Sequence, residues 1–225
     1  MLTLDYLINI DTHAAIARIS LSGDGQVISR LESTGERNHA AFLPGGIHRL
    51  MQESDIQATR LSAVAISAGP GSYTGLRIGS STAKGLCYAW NLPLIAISSL
   101  KVLGREMITG ESHPDWMYCP MMDARRAEVY TAVYDAALNE IIHPGPMILA
   151  ADSFSTLLAS HTVCFSGDGA QKGQILFNPS SRAVFRQTPI GPDSLAQLAW
   201  EEFRKGLFQN LAYFEPFYLK AFHRP

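Results

Sequence analysis

The chain has 225 residues, a net charge of −2, and 17% charged against 47% hydrophobic residues. That balance excludes a disordered chain, which needs low hydrophobicity and high net charge, and it lacks the basic excess of a stand-alone nucleic-acid binder. No apolar run reaches the length of a membrane span, residues 1–10 lack the basic flank of a secretory signal, and the three separated cysteines, Cys87, Cys119 and Cys164, form neither a disulfide framework nor a zinc site. The expectation is a reduced, cytoplasmic protein whose low charged fraction points to a surface covered by a partner.

In chain order, Leu4 to Ile10 is a short apolar run that ends at Asp11-Thr12-His13. Residues 14–21 and Gln26 to Leu31 read as two further strands around a Gly23-Asp24-Gly25 turn. Asn38 to Glu53 reads as a helix capped by Asn38, with Leu43, Ile47, Leu50 and Met51 on one face. Pro44-Gly45-Gly46 requires that this helix begin at Pro44 or bend there. Leu61 to Ser67 is a strand, Gly69-Pro70-Gly71 a turn, Thr74 to Trp90 a helix and Leu94 to Ile97 a strand; Ser98 or Ser99 then caps a helix to about Ile108. Three antiparallel strands followed by strand–helix–strand–helix predict a mixed sheet whose parallel part is covered by helices.

Gly110 to Asp115 reads as the boundary between a lobe of residues 1–110 and one of residues 111–225. In the second lobe Met117 to Met121, Glu128 to Tyr134 and Glu140 to Ile142 read as strands. Asp152 caps a helix to about Leu158, Thr162 to Ser166 is a strand, and Pro192 to Arg204 is a helix. The pattern of strands, helix, strand, helix thus begins twice, as in a duplicated architecture.

The segment Ala68 to Gly79 carries the most chemistry. Gly69 and Gly71 let backbone amides approach a ligand, and Ser72 and Thr74 open a helix whose N-terminus favours an anion. It is neither a Walker loop nor a dinucleotide fingerprint, because Thr74 takes the place of the third glycine. The same residues equally make a tight turn with Thr74 as helix cap. Asp11, closing the first strand, either positions a metal or water beside a phosphate or binds nearby backbone. Gly75, Gly79 and Ala83 recur every fourth residue, a small-residue strip that serves packing on the chain's own sheet or close approach of a partner helix. The seven histidines show no i, i+4 pair of the kind that binds zinc on a helix. Ser72 is not in a nucleophile elbow, and the cysteines lie in or beside apolar runs as packing residues. Asp123-Ala124-Arg125-Arg126 is either a charged hairpin turn or a bidentate phosphate clamp.

Taken together and in order, Ile10-Asp11-Thr12, Arg37-Asn38-His39, Ala68 to Gly79, Ile97-Ser98-Ser99-Leu100, Met122 to Tyr130 and Gly167-Asp168-Gly169-Ala170 resemble the TsaB (YeaZ) family, the catalytically silent relatives of TsaD. The resemblance covers nearly the whole chain. It implies an α/β, actin/hexokinase-like (ASKHA) two-lobed fold of mixed sheets with flanking helices. It also implies a role in forming threonylcarbamoyl-adenosine beside the tRNA anticodon, in which TsaC makes the adenylate, TsaD transfers the group and TsaE supplies an ATPase.

Active relatives carry a His-x-x-x-His pair where this chain has Ser98 to Leu103 without a histidine. The resemblance therefore implies no catalytic residue and no metal site. It implies no cofactor bound by this chain alone, with ATP entering through TsaD and TsaE, and leaves Asp11, Gly69, Gly71 and Ser72 as a vestigial or junction nucleotide site. The implied partners are TsaD, TsaE in a ternary complex, a second copy of the chain when alone, and tRNA only indirectly. Pairing is expected through Leu43, Ile47, Leu50, Gly75, Ile78, Gly79, Thr82 and Ala83, so that Gly79→Leu disrupts pairing without unfolding the chain. The rival readings are a working ATPase or phosphotransferase of the same fold and a glycoprotease-type metallopeptidase. His13, Pro44-Gly45-Gly46 and the terminal Phe217-Tyr218-Leu219-Lys220 depart from the family pattern.

Overall fold

A computed structural model describes residues 4–34, 38–177 and 180–219. Arg37 and Lys220, both used in the sequence comparison above, lie outside the described residues. The chain divides into two bodies, Met1–Ser99 with Gly191–Phe217, and Leu100–Ile190 with Tyr218–Pro225. The first body is left after Ser99, earlier than the expected boundary at 110, and it takes back a segment from far along the sequence.

In the first body, β1 (Tyr6–Asp11), β2 (Arg18–Gly23) and β3 (Gln26–Glu32) are antiparallel, while β4 (Leu61–Ser67) and β5 (Leu94–Ile97) run parallel to β1. The sheet order is β3-β2-β1-β4-β5. β1 is central, and Leu7 through Asp11 are all buried, so its side chains are covered on both faces. On one face Ile8, Ile10, Ile19, Leu21 and Val64 pack with Leu43, Ile47 and Leu50 of α1 (His39–Glu53) and Ala83 and Cys87 of α2 (Tyr73–Trp90).

Helix α1 starts at His39 and carries Pro44 inside it. Gly46 lets it lie close on β2, because a Cβ there would come 2.9 Å from Ile19 Cδ1. Asn38 precedes the helix without a side-chain capping bond. Ser72, not Thr74, caps α2, its Oγ accepting the Gly75 amide at 3.2 Å, and Asn91 ends the helix in the left-handed conformation common there.

The second body repeats the plan. α3 (Ser99–Gly110) leads into β6 (Trp116–Asp123), β7 (Glu128–Tyr134) and β8 (Glu140–Ile148), which are antiparallel. After α4 (Ser155–Ser160), β9 (Thr162–Ser166) runs parallel to β6; after α5 (Ala170–Leu176), β10 (Ala183–Phe185) runs parallel to β9. The order β10-β9-β6-β7-β8 is the order of the first sheet read from its other edge. Phe154, Phe165, Phe177 and Phe185 close this core with ring centroids 5.1–5.7 Å apart along the Phe165 contacts and the Phe154–Phe177 contact. α6 (Asp193–Arg204) then returns to the first body, where it contacts β1, β3, β4 and β5. α5 and β10 have no counterpart in the sequence reading, and β8 runs six residues past its expected end at Ile142.

Candidate functional site

Asp11 closes β1 and is 5% exposed. The turn after it folds His13 back, so that its Nδ1 donates to Asp11 Oδ1 at 2.5 Å and its amide donates to the same oxygen at 3.2 Å. Burial pushes the Asp11 carboxyl up, but His13, with a smaller contribution from Arg18, outweighs it and holds the group below the usual aspartate value. Ser67 Oγ lies 3.4 Å from His13 Nδ1 and 2.7 Å from Ser99 Oγ.

The glycine loop is brought onto this turn, and part of its polar backbone is used within the chain. Ser99 Oγ accepts the Gly69 amide at 3.0 Å, and Gly69 O accepts the Ser99 amide at 2.8 Å. The Ser72 amide donates to His13 O at 2.7 Å, and Ala68 O accepts the Phe217 amide at 2.8 Å. Gly71 has no room for a side chain, since a Cβ would stand 2.6 Å from His13 O. A loop that cradles phosphate needs these amides to face the ligand; here three of them, those of Gly69, Ser72 and Gly75, face Ser99, His13 and the cap. The four expected nucleotide residues are thus gathered at one place, with His13 standing between the carboxylate and the loop.

The small-residue strip has an internal use. Side chains on Gly75 and Gly79 would strike Thr12 O and Thr12 Oγ1 respectively. His39 secures the same turn by donating from Nε2 to Ala14 O at 3.0 Å. Gly79→Leu would therefore force the β1–β2 turn off α2, which corrects the expectation that it spares the fold. Leu43, Leu50 and Ala83 are fully buried in the first body's core, and Ile78 packs half-buried against it.

Of the residues expected at a pairing surface, Ile47 and Thr82 border an open groove of about 880 Å³ between α1 and α2. Its other walls include Met51, which the periodicity of α1 placed on its apolar face, and Pro44, His48, Gly85, Leu86 and Trp90, which that periodicity did not single out. Gly85 has nothing within 4 Å of where its Cβ would be.

In the second body the Asp123–Arg126 segment is a turn in which the Glu128 amide donates to Arg125 O at 3.1 Å. Asp123 Oδ1 accepts from the Arg125 amide at 2.5 Å and from Lys172 Nζ at 2.7 Å, and Asp168 Oδ1 accepts the Asp123 amide at 2.9 Å. Arg125 and Arg126 are exposed, with φ of 71° and 52°. Among the described residues no group of three His, Cys, Asp or Glu could hold a metal ion, and no helix is long and apolar enough to cross a membrane.

Two copies of one mixed-sheet plan with helices alongside are the architecture of the actin/hexokinase-like fold. The model of the family described as TsaD, tRNA N6-adenosine threonylcarbamoyltransferase, matches residues 30–222, and the chain belongs to that family. Within it the likeness is to TsaB (YeaZ). The tRNA threonylcarbamoyladenosine biosynthesis protein TsaB of Bacillus subtilis is 33% identical over 148 residues, 65% of this chain and 63% of that protein. The TsaB of Escherichia coli is 31% identical over 137 residues, 61% of this chain and 58% of that protein. The matched stretch thus spans about three fifths of the length of these curated relatives. A crystal structure of a Pseudomonas aeruginosa protein with similarity to peptidase YEAZ superposes with a TM-score of 0.84 over 96% of this chain and 100% of that one, at 21% identity. A structure of YeaZ from the same organism gives 0.81 at 20% identity.

Proposed function

We propose that the chain is a non-catalytic subunit in the formation of threonylcarbamoyl-adenosine in tRNA. It docks on the TsaD transferase through the groove between α1 and α2 and supports the transferase without making or breaking a bond itself. The observation that carries this reading is the closure of Asp11: its Oδ1 is held by His13, and three amides of the glycine segment, those of Gly69, Ser72 and Gly75, turn to Ser99, His13 and Ser72. Asp11 Oδ1, taken up twice by His13, is poorly placed to position a phosphate or a metal-bound water. The names of the relatives support the pathway.

The groove supports the docking. It is apolar along Ile47, Met51, Leu86 and Trp90, and the side of α2 that faces it is kept low by Ser81, Thr82 and Gly85. An exposed glycine inside a helix costs about 1 kcal/mol relative to alanine, and no close approach at the Cβ position of Gly85 requires a glycine there. Close approach of a partner helix gives it a purpose. The same face pairs two copies of the chain when TsaD is absent. ATP enters through TsaD and TsaE, tRNA is reached through TsaD, and the assembly works in the cytoplasm.

The test mixes the chain with TsaD from the same organism and measures complex mass by light scattering, with and without ATP. A stable complex is expected, lost in Gly85→Arg while the thermal melt of the isolated variant stays unchanged. Unimpaired assembly of Gly85→Arg overturns the docking face. ATP turnover by the chain alone, abolished by Asp11→Asn, overturns the non-catalytic reading.

A further inference from the structure

Beneath Asp11, on the sheet face opposite α1 and α2, lies a cavity of about 10 Å³. Asn9, Asp11, Arg18, Ile19 and Ser20 of β1 and β2 border it, and Gly191, Pro192 and Leu195 at the start of α6 complete it. Two of its polar atoms are buried without a hydrogen-bond partner, Asn9 Oδ1 and Arg18 Nη1. Asn9 is 1% exposed, and the Arg18 side chain 14%.

The orientation of both groups is fixed by their other bonds. Asn9 Nδ2 donates to Ser20 Oγ at 3.2 Å and to Ser22 Oγ at 3.0 Å, which commits the amide oxygen to the other side. Arg18 Nε donates to Glu32 Oε1 at 3.0 Å, which leaves Nη1 turned inward. An unsatisfied buried polar atom costs about 1–3 kcal/mol, more when it is charged, so two in one cavity call for a shared partner.

We infer that this cavity is a binding site for a single internal water molecule, which accepts a hydrogen bond from Arg18 Nη1 and donates to Asn9 Oδ1 and to the Asp11 carboxylate. The chemistry selects water over other small species. The guanidinium repels a cation, and the Asp11 carboxylate and Asn9 oxygen repel an anion. A neutral molecule with one acceptor and two donor positions satisfies all three groups, and the volume admits one water. The site does not depend on the proposed docking role. It lies where the start of α6, about 180 residues away in sequence, covers β1 and β2, at a point where apolar contact alone would strand two polar groups.

A crystal structure of the full chain at atomic resolution is the direct test. One ordered oxygen is expected within hydrogen-bond distance of Asn9 Oδ1 and Arg18 Nη1, and Arg18→Met is expected to lose that oxygen with the β1–β2 backbone unmoved. Arg18 Nη1 bonded directly to Asp11 or Asn9, with no density between them, overturns the inference. In solution, a slowly exchanging water giving a cross-relaxation peak to the Ser20 amide is expected in the unaltered protein. Its absence there overturns the inference even if Arg18→Met does not fold.

Discussion

The hydroxyl of Thr12 occupies the space beside the α carbon of Gly79 that any larger residue would need. Gly79→Ala is therefore an overpacking change, expected to cost about 1–3 kcal/mol and to lower the thermal melting temperature of the isolated chain. Gly79→Leu is expected to go further and leave no cooperative melt, because the added side chain meets the β1–β2 turn.

Gly85, on the same helix, should behave in the opposite way. With nothing within 4 Å of its Cβ position, Gly85→Ala is expected to stabilise the isolated chain by about 0.5–1 kcal/mol through helix propensity. If α2 is the docking face, the same change weakens the complex with TsaD. A melt and a titration of the one variant check both halves.

Acid stability should carry the mark of Asp11. Its carboxyl is held below the ordinary aspartate value of about 4. A lowered folded-state pKa gives stability that is fully present above the unfolded value and is lost as pH falls through the folded one. Asp11→Asn removes that dependence, so the difference between the two proteins in denaturant-melt stability is expected to narrow as the solution is taken from pH 5 downward. A constant difference across that range would mean that the His13 pairing does not set the titration.

The three thiols should be silent. Burial pushes Cys87 and Cys119 up to about 12 and Cys164 up to about 11, and all three are buried. A thiol-specific dye at mildly alkaline pH is expected to label none of them in the native protein and all three in denaturant, because the thiolate is the reactive form.

The Arg125-Arg126 turn is expected to be a stability reserve. Both residues sit at positive φ, where a side chain costs about 1–2 kcal/mol. Arg125→Gly is expected to raise unfolding free energy by about 0.5–1 kcal/mol, since glycine relieves the strain but loosens the unfolded chain. Chemical denaturation measures the gain.

The sequence carried the larger elements well, for reasons visible at particular residues. Leu94 to Ile97, Glu128 to Tyr134 and Thr162 to Ser166 are apolar or β-branched runs bounded by turn residues, and their strands begin and end where that pattern does. β10 is three residues long and α5 lacks a capping side chain, so neither leaves a local signal. The spacing of Gly75 and Gly79 recorded that something comes close, but only the fold shows that it is Thr12. Asp11 was legible as a candidate; that His13, two residues on, folds back onto it and that the glycine loop then seats on His13 was not, because Ser67 and Ser72 meet His13 from 54 and 59 residues away. The groove was legible only in part: periodicity marked Ile47 and Met51, while Pro44, His48, Gly85, Leu86 and Trp90 lie outside the residues it marked.

The return of α6 to the first sheet sets an order on biogenesis. The second body is one nearly continuous stretch, Leu100–Ile190, so it emerges from the ribosome with its main segment in hand while the first still lacks Gly191–Phe217. Until that segment is translated, the face of β1 bearing Asn9 and Asp11 lacks the cover that α6 supplies, so a strand made well before the second body is completed only after it.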